Sequence, residues 1–331
     1  MPTFPDPSRA LSTDEARTAF GLMLDGGGSD EEIAAFLVAL ADRGESAQEI
    51  AGAALAMRER MIPISAPAHA IDVCGTGGDG QHTLNVSTAV AIVVAACGVP
   101  VAKHGNRAAS SKAGGADTLE ALGVRLDVTA QVAERQLADL GICFLFAQNH
   151  HPALKRMAPI RKALGRRTIF NLLGPLASPA GVKRQLVGVA SPKLVETYAQ
   201  AMKMLGIERA MIVSGEEGLD EVSISGISRF ASIGFDLGHN IIAPEGVGLP
   251  RHPLSDLRGG DAAHNAAALR RLLEGERGAY RDAVLLNTAA ALIVAGEVQE
   301  GEDGVEEAAE AIDKGLANAL LNCWIAEGSK Q

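Results

Sequence analysis

Residues 71–80 read IDVCGTGGDG, a short apolar run that leads into a loop with four glycines. The apolar run predicts a strand, and the glycines let backbone N–H groups approach a phosphate closely, helped by the dipole of a following helix. The next stretch, residues 80–116, contains no Asp or Glu, yet it carries Lys103, His104, Arg107 and Lys112. In a chain whose formal net charge is −10, such a stretch indicates a surface that binds phosphate.

The pattern around this stretch predicts an α/β fold. Strands are expected near residues 71–74, 99–102, 142–147, 185–190 and 210–214. Helices are expected at residues 85–98, 116–123, 129–141 and 192–206, and most of the chain beyond residue 261 is expected to be helical. Strands that alternate with helices of this length predict a mainly parallel central sheet flanked by helices.

The N-terminal residues carry a repeated helix-start signal. Serine is followed three residues later by glutamate at Ser12 and Glu15, at Ser29 and Glu32, and at Ser46 and Glu49. Each pair forms a capping box, and apolar residues at helical spacing follow it. Three short helices therefore form a small helical domain, residues 1–68, and residues 69–331 form the α/β domain.

Composition limits the classes of function. The chain has 331 residues with 47% hydrophobic and 21% charged residues, which is ordinary for a soluble protein. An isoelectric point near 5.3 argues against nucleic-acid binding through the electrostatic field of the whole protein, although a local basic patch is still compatible with it. No signal peptide or membrane-length apolar run is visible, so we expect a cytoplasmic protein with no membrane partner. The cysteines form no CxxC pair and are expected to be reduced, without a metal: Cys74, Cys97, Cys143 and Cys323.

The glycine loop, residues 75–80, also matches the spacing GxGxxG of dinucleotide-binding folds. Those folds need an acidic residue about 20 residues further on, to bind the ribose hydroxyl, and none is present here. Asp79 inside the loop would repel a bare pyrophosphate unless a ribose hydroxyl or a cation lies nearby. A phosphosugar site therefore fits better than a nicotinamide cofactor, with a purely structural glycine turn as the alternative.

Polar residues also follow the other predicted strands. Residues 85–88 (NVST) open a helix, where their hydroxyls either cap it or bind phosphate or a metal. Residues 103–111 (KHGNRAASS) follow a strand at the edge where ligands bind in this fold class. Asp220 and Glu221 are hard oxygen ligands suited to Mg²⁺, although an adjacent acidic pair is more often surface decoration. Arg161 can bind a substrate carboxylate through its guanidinium fork or lie on the surface.

Taken together, these motifs resemble the anthranilate phosphoribosyltransferase family. The likeness rests on GTGGDG, NVST, KHGNRAASS, GADTLEALGV, HPALKRMAPIRKALGRRTIFNLLGPL and GLDE, and it runs from about residue 29 to the C-terminal helices. It implies a homodimer formed through the helical domain, with a segment near residues 155–180 returning to that domain. It also implies transfer of phosphoribose from 5-phosphoribosyl 1-diphosphate (PRPP) to the amine of anthranilate, with Mg²⁺ as cofactor.

The resemblance implies roles for individual residues. Gly75, Asn106 and Arg161 would contact anthranilate, and Ser87, Asp220 and Glu221 would bind Mg²⁺. The PRPP site would comprise Gly75, Gly78, Asp79, Thr83, Asn85, Val86, Ser87, Thr88, Lys103, His104, Gly105, Asn106, Arg107, Ala108, Ala109, Ser110, Ser111 and Gly115. Many relatives have Ser in place of Gly115, so one hydroxyl contact to PRPP is missing and a modest change in PRPP affinity is expected.

Catalysis by a general base is not required by this chemistry, because a neutral aromatic amine is already nucleophilic. His104 is the candidate proton acceptor, and a role in positioning the backbone is an equal alternative. Two rival functions are considered. A pyrimidine nucleoside phosphorylase would share the architecture, and an inactive nucleic-acid-binding relative would show eroded motifs and a basic surface.

Overall fold

The computed structural model describes residues 4–108 and 112–328. Its N-terminal helices are α1 (Thr13–Leu24), α2 (Asp30–Arg43) and α3 (Ala47–Arg58). All three begin with the predicted capping boxes, in which a serine side chain accepts from a backbone N–H and a glutamate binds back. The helical bundle is thus confirmed as an element of the fold.

The sheet has seven strands in the order β3-β2-β1-β4-β5-β6-β7. The first five strands in that order are parallel, as predicted, whereas β6 and β7 extend the edge in antiparallel fashion and were not predicted. The bounds are β1 (Ile71–Gly75), β2 (Val101–Gly105), β3 (Ile142–Phe146), β4 (Arg184–Gly188), β5 (Arg209–Gly215), β6 (Ser228–Ile233) and β7 (Ile241–Ile242).

Strand β2 differs from the prediction at its start. It begins at Val101 and not at residue 99. Pro100 lacks the N–H that a ladder needs, and its carbonyl accepts from the backbone of Ile71 at 2.9 Å. The strand instead continues through Lys103 and His104 and ends at Gly105. Lys103 and His104 are therefore part of the strand and do not follow it.

The remaining helices cover both faces of the sheet. Their bounds are α4 (Val86–Ala96), α5 (Gly115–Ala121), α6 (Ala130–Leu140), α7 (Ala147–His150), α8 (Met157–Leu164), α9 (Val195–Met204), α10 (Ala262–Leu273), α11 (Ala279–Ala295), α12 (Gly301–Asp313) and α13 (Leu316–Gly328). Within β4, Leu186 belongs to the core formed with α4 and α11, and Val187 to the core formed with α9 and α1–α3. The period of two along each strand therefore divides the apolar residues between two cores.

The chain returns to the helical bundle after β3. Met157 and Ile160 of α8 are buried in the same core as α1–α3, and the ring of Phe170 lies 5.7 Å from that of Phe20. Arg156 donates to the backbone carbonyl of Gly28 at 2.7 Å. This packing supports the predicted return of residues 155–180 to the helical domain. Among the described residues, no helix is long and apolar enough to cross a membrane.

Candidate active site

Two glycines opposite each other create the centre of the site. Gly75 ends β1, Gly188 ends β4, and the two are partners in the parallel ladder. Asp220, from the loop after β5, packs against both of them, and a β-carbon at either glycine would overlap it. We call this pair the glycine slot. The sequence places small residues there because only a missing side chain lets the Asp220 loop reach the sheet edge.

Two neighbouring carboxylates, those of Asp220 and Glu221, are buried at this site. Asp220 Oδ2 accepts from the backbone N–H of Gly77 at 2.7 Å, and Glu221 Oε1 accepts from that of Ser87 at 3.2 Å. Burial, assisted by the nearby charge of Asp79, raises the pKa of Asp220 to about 7. Burial and the neighbouring Asp220 raise the pKa of Glu221 well above its usual range. A bound cation would relieve both effects, because opposite charge favours the ionised carboxylates.

The donor set fits Mg²⁺. Glu221 Oε2 is buried and has no hydrogen-bond partner among the described residues, so one hard oxygen remains for a ligand. Within residues 4–108 and 112–328, no group of three or more His, Cys, Asp or Glu has metal-binding geometry. Two carboxylates with the Ser87 hydroxyl therefore form the candidate set, which suits an ion that retains several waters and bridges substrate phosphates.

Lys103 lies beside these carboxylates. It is almost fully buried, and its Nζ donates to the carbonyl of Val73 at 2.7 Å and to the Ser87 hydroxyl at 3.3 Å. Asp72, also buried, accepts from the backbone N–H of His104 at 3.1 Å, and burial raises its pKa to about 6. The backbones of β1 and β2 pair at Ile71 and Val101, and the side-chain hydrogen bonds of Lys103 and Asp72 connect the two strands further along. The lysine charge lies next to the carboxylates.

Two residues predicted to bind PRPP, Asn85 and Arg107, already form hydrogen bonds or ion pairs with other residues of the protein. The Asn85 side chain accepts from Asn265 at 2.9 Å and donates to the Ala113 carbonyl at 3.2 Å. Arg107 forms ion pairs with Asp117 and with Glu120, two acids that lie just beyond the acid-free stretch. Residues 80–116 hold no acid of their own, but Asp117 and Glu120 of α5 supply carboxylates to Arg107.

Most of the predicted site residues line one cleft of about 370 Å³. They are Gly75, Gly78, Asp79, Thr83, Asn85, Ser87, Thr88, Lys103, His104, Gly105, Asn106, Arg107, Ala108, Gly115, Arg161, Asp220 and Glu221. Val86 is buried and does not line the cleft. Ala109, Ser110 and Ser111 lie outside the described residues.

A second group of residues that line the cleft is largely aromatic, and we call the part that they form the aromatic end. Arg161 is half-buried with its guanidinium 5.7 Å from the ring centre of Phe170, and burial lowers its pKa. The cleft here includes His151, Phe170 and Asn171, which sequence analysis did not single out, although they lie inside or beside the quoted motif around Arg161. A flat apolar wall with one guanidinium suits an aromatic carboxylate.

His104 points toward this end. Its Nδ1–H donates to the carbonyl of Gly174 at 3.0 Å, which leaves Nε2 buried without a protein partner. Burial and the neighbouring His151, whose ring lies 5.2 Å away, lower the pKa of His104 to about 3. The imidazole is therefore neutral at physiological pH and a weak proton acceptor, which favours the positioning role.

Comparisons with known proteins agree with this geometry. Residues 67–318 match the family model "Glycosyl transferase family, a/b domain", and residues 7–61 match "Glycosyl transferase family, helical bundle domain". The chain is 66% identical to the anthranilate phosphoribosyltransferase of Novosphingobium aromaticivorans, across 98% of this chain and 99% of that protein. It is also 66% identical to that of Sphingopyxis alaskensis, across 98% of each chain.

Solved structures give the same result. The crystal structure of anthranilate phosphoribosyltransferase from Thermus thermophilus matches with a TM-score of 0.92 and 44% identity, across 96% of both chains. The Saccharomyces cerevisiae enzyme in complex with PRPP and Mg matches with a TM-score of 0.88 and 31% identity, across 97% of this chain and 94% of that one. With relatives that are 66% identical over nearly its whole length, this chain belongs to the anthranilate phosphoribosyltransferase family of glycosyltransferases.

Proposed function

We propose that this protein transfers the phosphoribosyl group of PRPP to the amine of anthranilate, giving N-(5-phosphoribosyl)anthranilate and pyrophosphate in tryptophan biosynthesis. One observation carries the proposal: a single cleft joins the buried pair Asp220 and Glu221 to an aromatic end that holds Arg161. The yeast relative has been solved with PRPP and Mg, and separately with 4-fluoroanthranilate. Those ligands match the chemistry of the two ends.

PRPP is assigned to the end with the glycine loop. Gly77, Gly78 and Gly80 have positive φ angles, and an added β-carbon at any of them would meet nothing within 4 Å. The loop therefore borders open space, which lets phosphate oxygens approach the backbone N–H groups of Gly78 and Gly80, whereas the N–H of Gly77 donates to Asp220. The PRPP residues named in the sequence analysis are proposed to bind there, with Lys103 adding a buried positive charge.

Mg²⁺ is assigned to Ser87, Asp220 and Glu221, on the basis of the unpartnered Glu221 oxygen and the raised pKa values of both carboxyls. When bound, the ion would neutralise charge on the departing pyrophosphate. In the reaction the C1–O bond to pyrophosphate breaks, the C1–N bond forms, and the amine loses a proton to water or to the released pyrophosphate. The chain's own contribution is to hold the pyrophosphate with loop amides and Lys103.

Anthranilate is assigned to the aromatic end around Arg161, with Asn106 as a second contact and Gly75 as its predicted contact on the side of the carboxylates. The Arg161 guanidinium is positioned to pair with the carboxylate of the substrate, so that the amine faces C1 of PRPP. Orientation of this kind supplies several kcal/mol, about 7–11 kcal/mol at most for well-aligned groups. His104 is assigned a positioning role, because its lowered pKa makes it a weak base.

The test follows the loss of anthranilate fluorescence in purified protein with PRPP and Mg²⁺. We expect loss that requires both additions, and a drop in kcat of about 10²–10³-fold in Asp220→Asn and Glu221→Gln, the range seen when one preorganised electrostatic group is removed. Glu216→Gln is the matched control, since this carboxylate precedes the pair in the chain and forms only an exposed ion pair with Arg229.

Wild-type kcat in both carboxylate variants would contradict the metal assignment. If the wild-type protein consumes no anthranilate although it is folded, phosphorolysis of thymidine tests the nucleoside phosphorylase alternative. The homodimer, the cytoplasmic location and the division at residue 68 stay predictions. Light scattering on the purified protein measures the first of these directly.

A further inference from the structure

Residues 174–177 form a segment beside the cleft that is held through its backbone carbonyls, and its first two residues line the cleft. We call this segment the acceptor wall, because Gly174 and Pro175 line the aromatic end of the cleft. The Gly174 carbonyl accepts from His104 at 3.0 Å, and the Pro175 carbonyl accepts from Gln185 Nε2 at 2.8 Å. Three successive carbonyls are engaged in this way, the third by Arg58.

Arg58 reaches the wall from the helical bundle. Its Nε donates to the Leu176 carbonyl at 2.7 Å, and its Nη1 donates to the Leu205 carbonyl at 3.3 Å. The planar guanidinium therefore joins α3 to the wall and to the end of α9 at the same time. The preceding residue of α3, Met57, itself lines the cleft.

The wall needs such partners because it is short and buried. Pro175, Leu176 and Ala177 form one turn of 3₁₀ helix and are all buried. A turn of this length satisfies few of its own carbonyls, and a buried carbonyl without a partner is rare in folded proteins. The side chains that satisfy them come from β2, β4 and α3, so the position of the wall is determined by both the sheet and the helical bundle.

We propose that Arg58 is a positioning residue for the acceptor substrate, with Gln185 as its counterpart from the sheet. The inference rests on the proposed function, since it assigns anthranilate to the aromatic end. Arg58 touches neither substrate; it fixes the carbonyl of Leu176 and with it the place of Pro175. Loss of the tether moves the wall and leaves the glycine loop and the carboxylate pair untouched. The signature is a raised KM for anthranilate with an unchanged KM for PRPP.

The experiment measures both KM values in Arg58→Met, Arg58→Lys and Gln185→Met. A hydrogen bond from a charged group contributes enough for about a tenfold change, so we expect the anthranilate KM to rise about tenfold in Arg58→Met. Arg58→Lys restores the charge but not the fork, and we expect an intermediate rise. Gln185 donates to the wall from β4, so Gln185→Met is also expected to raise the KM for anthranilate.

Arg43→Lys is the matched control. Arg43 lies in the same bundle and also binds backbone carbonyls, those of Pro7 and Gly44, both at 3.2 Å, but it does not line the cleft. We expect its KM values to equal those of the wild type. Thermal unfolding of every variant distinguishes loss of the fold from loss of positioning. If Arg58→Met does not fold, the KM for anthranilate in Gln185→Met tests whether the tethers position the wall.

An anthranilate KM in the Arg58 and Gln185 variants within twofold of the wild type would overturn the proposal. An equal rise in both KM values would also overturn it, since that result means general loosening. Turnover by the wild type reports on the proposed function, and the ratio of variant to wild type reports on the tether. A wild type without turnover therefore refutes the function, and a normal wild type with normal variants refutes only the positioning role.

Discussion

Replacing Gly188 by alanine tests the glycine slot. A β-carbon built at Gly188 would lie 1.5 Å from the Asp220 carbonyl oxygen and 2.2 Å from its carbonyl carbon. Both are backbone atoms, so no rotamer change can relieve the overlap. The loop must move by about 1.5 Å before the separation reaches 3.0 Å, the shortest that real β-carbons show.

The magnitude follows from this displacement. Asp220 and Glu221 travel with the loop, and a misplacement of about 1 Å in a catalytic group lowers activity about 10²-fold. We therefore expect kcat/KM to fall about 100-fold and the Mg²⁺ concentration for half-maximal rate to rise. Gly188 has no positive φ, so alanine carries no backbone penalty there, and any loss of stability arises from the overlap.

The assay is anthranilate fluorescence over a range of Mg²⁺ concentrations, together with thermal unfolding. Gly226→Ala is the control, because this glycine lies six residues after Asp220, has no positive φ, and has nothing within 4 Å of the added carbon. Wild-type kcat/KM and an unchanged Mg²⁺ dependence in Gly188→Ala would show that the slot does not position the carboxylates.

Two further predictions concern acid stability and PRPP. The pKa values of His104 and His151 are lowered by burial to about 3 and about 4, so the unfolded chain binds protons below about pH 6.5 that the folded protein does not. Stability should therefore fall by about 1.4 kcal/mol per pH unit for each histidine as pH decreases from 6.5. Chemical denaturation at pH 7 and pH 5.5 should show a smaller loss in His151→Gln; an equal loss would contradict it. Gly115 lines the cleft, so Gly115→Ser adds a hydroxyl there, although its β-carbon makes a tight contact of 3.0 Å with Thr88 Oγ1. We expect the KM for PRPP to fall by a factor of about 5, which corresponds to one hydrogen bond. An unchanged or higher KM would show that backbone groups already supply this contact.

Local signals made much of the fold predictable. The three capping boxes specify the N-terminal helices through bonds between residues three apart, so no tertiary information was needed. The same is true of α6, where Thr129 accepts from the backbone of Val132 as expected. Strand β6 was missed because its sequence, SRFASI, mixes polar and apolar residues without a clear apolar periodicity, and β7 because it is an edge strand of two residues.

The site was predictable in its membership but not in its internal contacts. Gly75 and Asp220 stand 145 positions apart, and only the order of the strands brings the Asp220 loop into the slot. The pairing of Arg107 with Glu120 depends on how α5 turns back after the loop, which no motif specifies. Gly188, His151 and Arg58 were missed for the same reason, because their roles arise from packing between distant segments.

The way the acceptor wall is held has a consequence for changing the protein. The side chains of His104, Gln185 and Arg58 all donate to main-chain carbonyl oxygens, which every amino acid has. These hydrogen bonds therefore do not depend on which side chains the wall carries, whereas the side chains of Leu176 and Ala177 are buried in the core with α1–α3. Libraries for new aromatic amines should vary residues 174 and 175, which line the cleft, and spare residues 176 and 177 together with the three tethers.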